Sequence, residues 1–379
     1  MHTSCTHSLP TTEKSQILSI CFMLALSLAI TLGNVVSLSV FLGSQHFRSP
    51  QGYLKASLAT ADLAVGVLVI PYSVYNEIRA LLAAQRGLVS GSSPRELEPQ
   101  GFGTCFLVGL IFAGCTLVSV FTIFLLSVER SITVLRPLHK NVLVTKGRTM
   151  ALILVSWLFC FTLAVAPLLL IEDITLEYSR CSKMCNYVIS NSTIAGGWSV
   201  MLLFPAFDFS VLGATSLLNL LTFSAVRRFC RDRKNVCTPA SHLHRGPTFS
   251  DLRAAKTILI LTVLLSASVT PVAVLLVGNA VGFSWCHFSL YAFWILACSS
   301  AWNVLIYSAR DRRFCLRVQE LFLGWRRPRR GVRGTATTRT PTARLNQVNH
   351  PGQCVAVFRQ VPTSGPVVTL NVGLQEQHL

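Results

Sequence analysis

The first residue that needs explaining is an aspartate inside a long apolar run. Asp62 sits mid-run in Ser57-Leu58-Ala59-Thr60-Ala61-Asp62-Leu63. Asn34, Ser119, Ser299, Ser300 and Asn303 fall at similar depth in other apolar runs. One carboxylate ringed by amide and hydroxyl groups can hold sodium or a proton. The same groups can instead serve only as hydrogen bonds between helices, worth about 1 kcal/mol each in a membrane. Ionisable residues at such depth are costly and mark functional sites by default. Asp208 is a second buried acid: either it faces the helix bundle as a ligand or proton group, or it is tolerated near water. Glu129-Arg130 ends another run and reads as a snorkelling pair. Asp251 lies at the same depth, so Arg130 could also change partners between two carboxylates.

These residues require membrane-spanning elements to position them. The 379-residue chain is 51% hydrophobic and 13% charged, against about 25% charged in an average soluble domain. That excludes an ordinary soluble enzyme, and disorder as the main state. Crossing a bilayer takes about 20 apolar residues. Six uncharged or nearly uncharged runs stand out: Ile17–Leu42, Ala56–Tyr75, Phe106–Val128, Met150–Ile171, Ile194–Val226 and Thr257–Tyr307. The last is too long for one span and too short for three, and Gly278, Asn279 and Gly282 split it within Gly278–Cys286. The result is seven spans. Backbone hydrogen bonds must close within each segment in lipid, so the spans are helices. The fold class expected is an all-α membrane protein, a seven-transmembrane helix bundle. Pro71, Pro167, Pro205 and Pro271 lie inside spans and are expected to kink them.

The net charge of +18 points first to nucleic acid, but the basic residues lie between the spans. With the N-terminus outside, six of the 33 Lys and Arg face out and the other 27 face the cytoplasm, which sets the orientation. Residues 1–15 are the extracellular N-terminus, read without a cleaved signal peptide. Residues 16–323 are the bundle, closed by a short amphipathic surface helix over Arg310–Leu323. Residues 324–379, rich in Arg, Pro, Gly and Thr, are expected to be a disordered cytoplasmic tail. Asn191-Ser192-Thr193 is a glycosylation acceptor on the outer side. Cys5, Cys105, Cys181, Cys185 and Cys286 fall in the oxidising compartment, an odd number, so at least one lacks a partner among them.

The motifs, taken in order, resemble a rhodopsin-like (class A) G-protein-coupled receptor. Gly33-Asn34-Val35-Val36 resembles the family's first-helix motif. Ser57 to Gly66 resembles the second-helix motif, especially that of amine receptors. Trp157, Pro205, Pro271 and Asn303-Val304-Leu305-Ile306-Tyr307 followed by Phe314 resemble the later ones. The resemblance covers roughly residues 15–323. It implies that Cys105 bonds Cys185 or Cys181. It implies an allosteric sodium site at Asp62, Ser119, Ser299, Ser300 and Asn303, with no other cofactor. It places the coupling switch at Glu129, Arg130, Asp251, Asn303 and Tyr307. The partners implied are a heterotrimeric G protein, an arrestin-like desensitising protein at the tail threonines, membrane lipids and a second receptor in a dimer, with no nucleic acid. The location implied is the plasma membrane.

The departures mark a divergent member. Ser131 stands where the family has Tyr, Val304 replaces a proline, Val269 a tryptophan and Gly213 the fifth-helix tyrosine. Phe112 occupies the position of the amine-binding aspartate. The pocket expected from the resemblance is Phe112, Ala113, Cys115, Thr116, Val272, Ala273, Leu276 and Phe293. So apolar a lining suits a non-amine, lipid-like ligand, or no ligand. The function expected is signal transduction to G proteins, with basal activity open. The alternative is a non-signalling, receptor-like protein that acts by dimerisation or trafficking of other receptors. An odd span count and the lack of an inverted repeat oppose a transporter. No cluster of nucleophile, base and oxyanion donors supports an enzyme.

Overall fold

The structure is a computed structural model and describes residues 13–85, 102–136, 140–189, 200–235, 249–283 and 285–324. Cys5, Asn191 and the tail after residue 324 lie outside the described residues. Seven helices are long and apolar enough to cross a membrane. Helix one is Glu13–Gly43 and helix two Pro50–Gln85. Helices three and four are Phe102–Leu135 and Lys146–Leu170. Helix five is Leu203–Asn235, helix six Phe249–Ala280 and helix seven Cys286–Arg310. The surface helix is Arg312–Gly324.

Helices run past the apolar windows that locate them, and polar residues cap three of the starts. Ser49 accepts from the Gly52 N–H at 3.2 Å ahead of Pro50 at the first helical position, an N-cap with the proline where its missing N–H does no harm. Thr145 caps helix four in the same way. Asp311 accepts from the Arg313 and Phe314 N–H groups at 3.1 and 3.3 Å, so the surface helix starts two residues later than the sequence implies. Helix six ends in a turn through Gly282 at φ +93°, a left-handed position that favours glycine. The expected break between spans six and seven is there.

Each helix turns one stripe inward. Helix one buries Ile20, Met23, Leu26, Ile30, Asn34, Ser37 and Phe41 and leaves Leu18, Leu28 and Leu32 exposed. In a bilayer those exposed leucines meet lipid. Helix two widens into a π turn at Val65–Val69, just beyond Asp62. Helix one comes so close there that a Cβ on Gly66 would lie 2.7 Å from Ile30. The Ser27 hydroxyl donates to the Gly66 carbonyl at 2.8 Å. Helix three runs through the centre, packed by two, four, five and six.

The helical class holds, with one addition and two corrections. Between helices four and five, β1 (Ile174–Ser179) and β2 (Met184–Ile189) form an antiparallel hairpin, with Ile174 opposite Ile189. Pro205 is the third residue of helix five, in the first turn, where it breaks no helical hydrogen bond. Gly213 is exposed, with open space where a side chain would stand, so it does not occupy an inward relay position.

Candidate functional site

Three regions of the bundle carry polar chemistry: its middle, the end that holds Arg130, and the end under the hairpin. In the middle, the expected cluster is assembled. Asn303 Nδ2 donates to Asp62 Oδ2 at 2.7 Å, and the buried Ser119 and Ser300 stand beside that carboxylate. Asp62, Ser119, Ser299 and Asn303 border a void of about 10 Å³ walled by Leu261, Leu265 and Trp302. That is about the room of one water or one small ion. Asn34 takes another role, donating to the Ile30 and Ser300 carbonyls at 2.9 and 3.2 Å, which ties helix one to helix seven.

At the second end, Arg130 pairs with Glu129, its Nε 3.4 Å from Oε2. Its guanidinium also donates to Gln51 Oε1 of helix two. Gln51 was not anticipated as a partner: it is an uncharged residue in a first turn, and nothing in the sequence pairs it with Arg130. Asp251 lies in the first turn of helix six, but its side chain is outside the described residues. Ser131 bonds Thr222 of helix five at 2.7 Å, and Asn219 donates to Thr262 of helix six at 3.0 Å. Tyr307 is buried between Phe41 and Phe314, and the Lys55 ammonium lies 4.8 Å from its ring. Lys55 also reaches Asp311 at 3.9 Å. The sequence shows Lys55 only as one more basic residue at a span end.

At the end opposite Arg130 lies a cavity of about 350 Å³ beneath the hairpin. Phe112, Ala113, Thr116, Val272, Leu276 and Phe293 line it as expected. Cys115 and Ala273 do not: both are buried in helix packing. Not anticipated were the hairpin residues Asn186 to Ile189, Met201 just before helix five, Phe204 in its first turn, and Trp285. Alternating β-branched and aromatic residues over Ile174–Ile189 were the available signal for the hairpin. Asp208 also borders the cavity, nearly buried at 7% exposure. It leads a stripe on helix five, with Leu212, Thr215, Asn219, Thr222 and Val226 buried at three- and four-residue spacing. The apolar lining expected from the sequence therefore holds a carboxylate.

The hairpin is strapped down. Cys105 of helix three bonds Cys185, and Cys181 bonds Cys286 at the start of helix seven. Lys183 Nζ lies 2.8 Å from Glu77 Oε2 and donates to Ser19 at 3.3 Å. Lys183 adopts φ 55°, uncommon for a residue other than glycine. Its side-chain contacts offset that cost. The Tyr178 hydroxyl donates to Glu77 Oε1 at 2.9 Å. Burial, and after it the Glu77 carboxylate, push the Tyr178 phenol well above the usual tyrosine range, so it stays a donor. Trp294 donates to the Ser182 carbonyl at 3.0 Å, and Tyr187 to the Ala164 carbonyl at 2.7 Å.

Comparison with known proteins adds to this geometry. A family model described as 7 transmembrane receptor (rhodopsin family) matches residues 33–307. The adenosine receptor A2a of Canis lupus familiaris is 32% identical over 147 residues, which is 38% of this chain and 31% of that receptor. The Homo sapiens adenosine receptor A2a matches to the same extent. The adenosine receptor A2b of Mus musculus is 25% identical over 185 residues, 48% of this chain and 49% of the relative. The matches thus span about a third to a half of these relatives' length.

Proposed function

The chain belongs to the rhodopsin family of seven-transmembrane receptors, which are receptors and not enzymes, and on that premise we propose how it signals. It sits in the plasma membrane with the hairpin outside and Arg130 at the cytoplasmic face. A small molecule enters the cavity under the hairpin. Occupancy shifts the population in which helices five and six part from helix three, and Arg130 then meets a heterotrimeric G protein. The observation that carries this reading is the pair of ends on one bundle. A roofed cavity lies at one end, and at the other Arg130 is held by contacts that can exchange.

The orientation rests on the bias of 27 basic residues to six. The cluster around Asp62 suits one monovalent hard cation. Asp62 would supply the charge, and Ser119, Ser299, Ser300 and Asn303 would supply neutral oxygens. Sodium there would favour the closed arrangement by bridging helices two, three and seven. An arrestin-like partner at the tail threonines, glycosylation at Asn191 and pairing of receptors extend the same reading.

The test is Arg130→Ala, scored by cyclic-nucleotide and calcium output in transfected cells against surface abundance. Output should fall to the level of mock cells while surface abundance is retained. Unchanged output would sink the role given to Arg130. The second reading, a receptor-like partner that does not signal, is favoured by the substituted relay residues Ser131, Val269 and Val304. It predicts that wild type and Arg130→Ala are equally silent in every assay.

A further inference from the structure

The cavity under the hairpin holds a charge that its walls do not satisfy. Asp208 Oδ1 is buried and has no hydrogen-bond partner among the described residues, and none of the ion pairs there includes Asp208. A buried carboxylate left alone is strongly unfavourable, and a ligand that pairs with it recovers that loss. The second orphan on the wall is also an acceptor: Asn186 Oδ1 is unpartnered, while its Nδ2 donates to the Ser182 hydroxyl at 3.2 Å. Two of the wall's hydroxyl donors are already spent. Thr116 donates to the Phe112 carbonyl at 2.8 Å and Tyr187 to the Ala164 carbonyl at 2.7 Å.

Among the described residues no lysine, arginine or histidine lines the cavity, so the positive charge that would offset Asp208 must come from an occupant. The lining is also aromatic. The rings of Phe112 and Phe293 lie 6.3 Å apart and tilted, and Trp285 is a further aromatic residue of the lining. Aromatic faces attract cations and pack flat apolar bodies. A volume of about 350 Å³ lies at the low end of the usual range of about 300–1,000 Å³ for ligand sites. A fatty acid or phospholipid would bring an anion to a carboxylate, and a neutral lipid would leave Asp208 unpaired.

We propose that the cavity takes a small arylalkylamine, its protonated amine on Asp208 and its ring among Phe112, Phe293 and Trp285. The anchor comes from helix five, in a chain whose third helix offers Phe112 and no carboxylate at the cavity. This deepens the reading of the cavity as the ligand site and rests on it. It replaces the expectation of a non-amine ligand, which weighed the acid missing from helix three and the apolar lining but not Asp208.

The test is thermal stabilisation of the full-length receptor in detergent, with no G protein present. The probes are tryptamine and phenethylamine, each against its neutral alcohol counterpart, indole-3-ethanol and 2-phenylethanol, with adenosine as a further arm. Both amines should raise Tm and both alcohols should not. Asp208→Asn should weaken the amines at least about tenfold, the loss of one charge-assisted hydrogen bond, and should leave the unliganded Tm unchanged or raised. Phe293→Ala, a second variant that keeps the charge, should also weaken the amines. Equal shifts from amine and alcohol, no shift from either in wild type, or a shift from adenosine alone would each overturn the proposal. Coupling is read separately through Arg130→Ala, so a silent receptor that binds amines and a signalling receptor that does not are told apart.

Discussion

The two ends of the bundle are held by different kinds of contact. At the hairpin end two disulfides, the ion pair of Lys183 with Glu77, and hydrogen bonds from Tyr178, Trp294 and Tyr187 tie the hairpin to helices one, two, three, four and seven. At the Arg130 end no described contact is covalent. Ser131 bonds Thr222, Asn219 bonds Thr262, and Arg130 divides itself between Glu129 and Gln51. Helices five and six supply part of the cavity wall, yet no bond described here fastens the hairpin to them. Among the described residues, a ring contact of Phe204 with Tyr187 at 5.3 Å joins helix five to it. A rigid frame with two loosely held helices can transmit occupancy of the cavity as movement at the far end, because exchangeable bonds are cheap to trade and a covalent strap is not.

Opening the second strap should have the largest effect on stability. Cys181→Ser with Cys286→Ser should lower unfolding stability by about 2–4 kcal/mol, read as a fall in Tm, while output through Arg130 persists. Next comes the ion pair. Lys183→Ala leaves Glu77 with Tyr178 as its remaining described partner and should cost about 1–3 kcal/mol. A double-mutant cycle with Glu77→Gln should recover part of that loss. The smallest change belongs to the other end. Thr222→Val removes the contact with Ser131 and should cost about 1 kcal/mol, while basal output rises because helix five is freed from helix three. If Thr222→Val destabilised as much as opening the strap, or lowered basal output, the contrast between the ends would fail.

Legibility differed from place to place for physical reasons. Ser49, Thr145 and Asp311 announce helix starts because capping is local. The Asp62 cluster was legible because a charge in an apolar run has few tolerable surroundings. Cys115 and Ala273 were misplaced by a turn or less, since which side of a helix meets a cavity depends on helix rotation. Gly213 failed for the same reason. Its helix turns a polar stripe of Asp208, Thr215, Asn219 and Thr222 inward, and a proline in the first turn is a poor anchor for register. Gln51 and Lys55 carried no local signal, because their partners lie about 80 and more than 250 residues away, at Arg130 and at Tyr307 with Asp311.

Sequence alone determined that the chain crosses a membrane seven times. A segment with too few charges to dissolve in water and enough length to span lipid has no other stable state. It also determined the family and the buried acids. Tertiary structure alone decided which cysteines pair, that a hairpin roofs the cavity, and that Asp208 stands unpaired on its wall. Those outcomes depend on how helices rotate and approach one another. Side-chain packing summed over distant segments sets that, and no single stretch of residues records it.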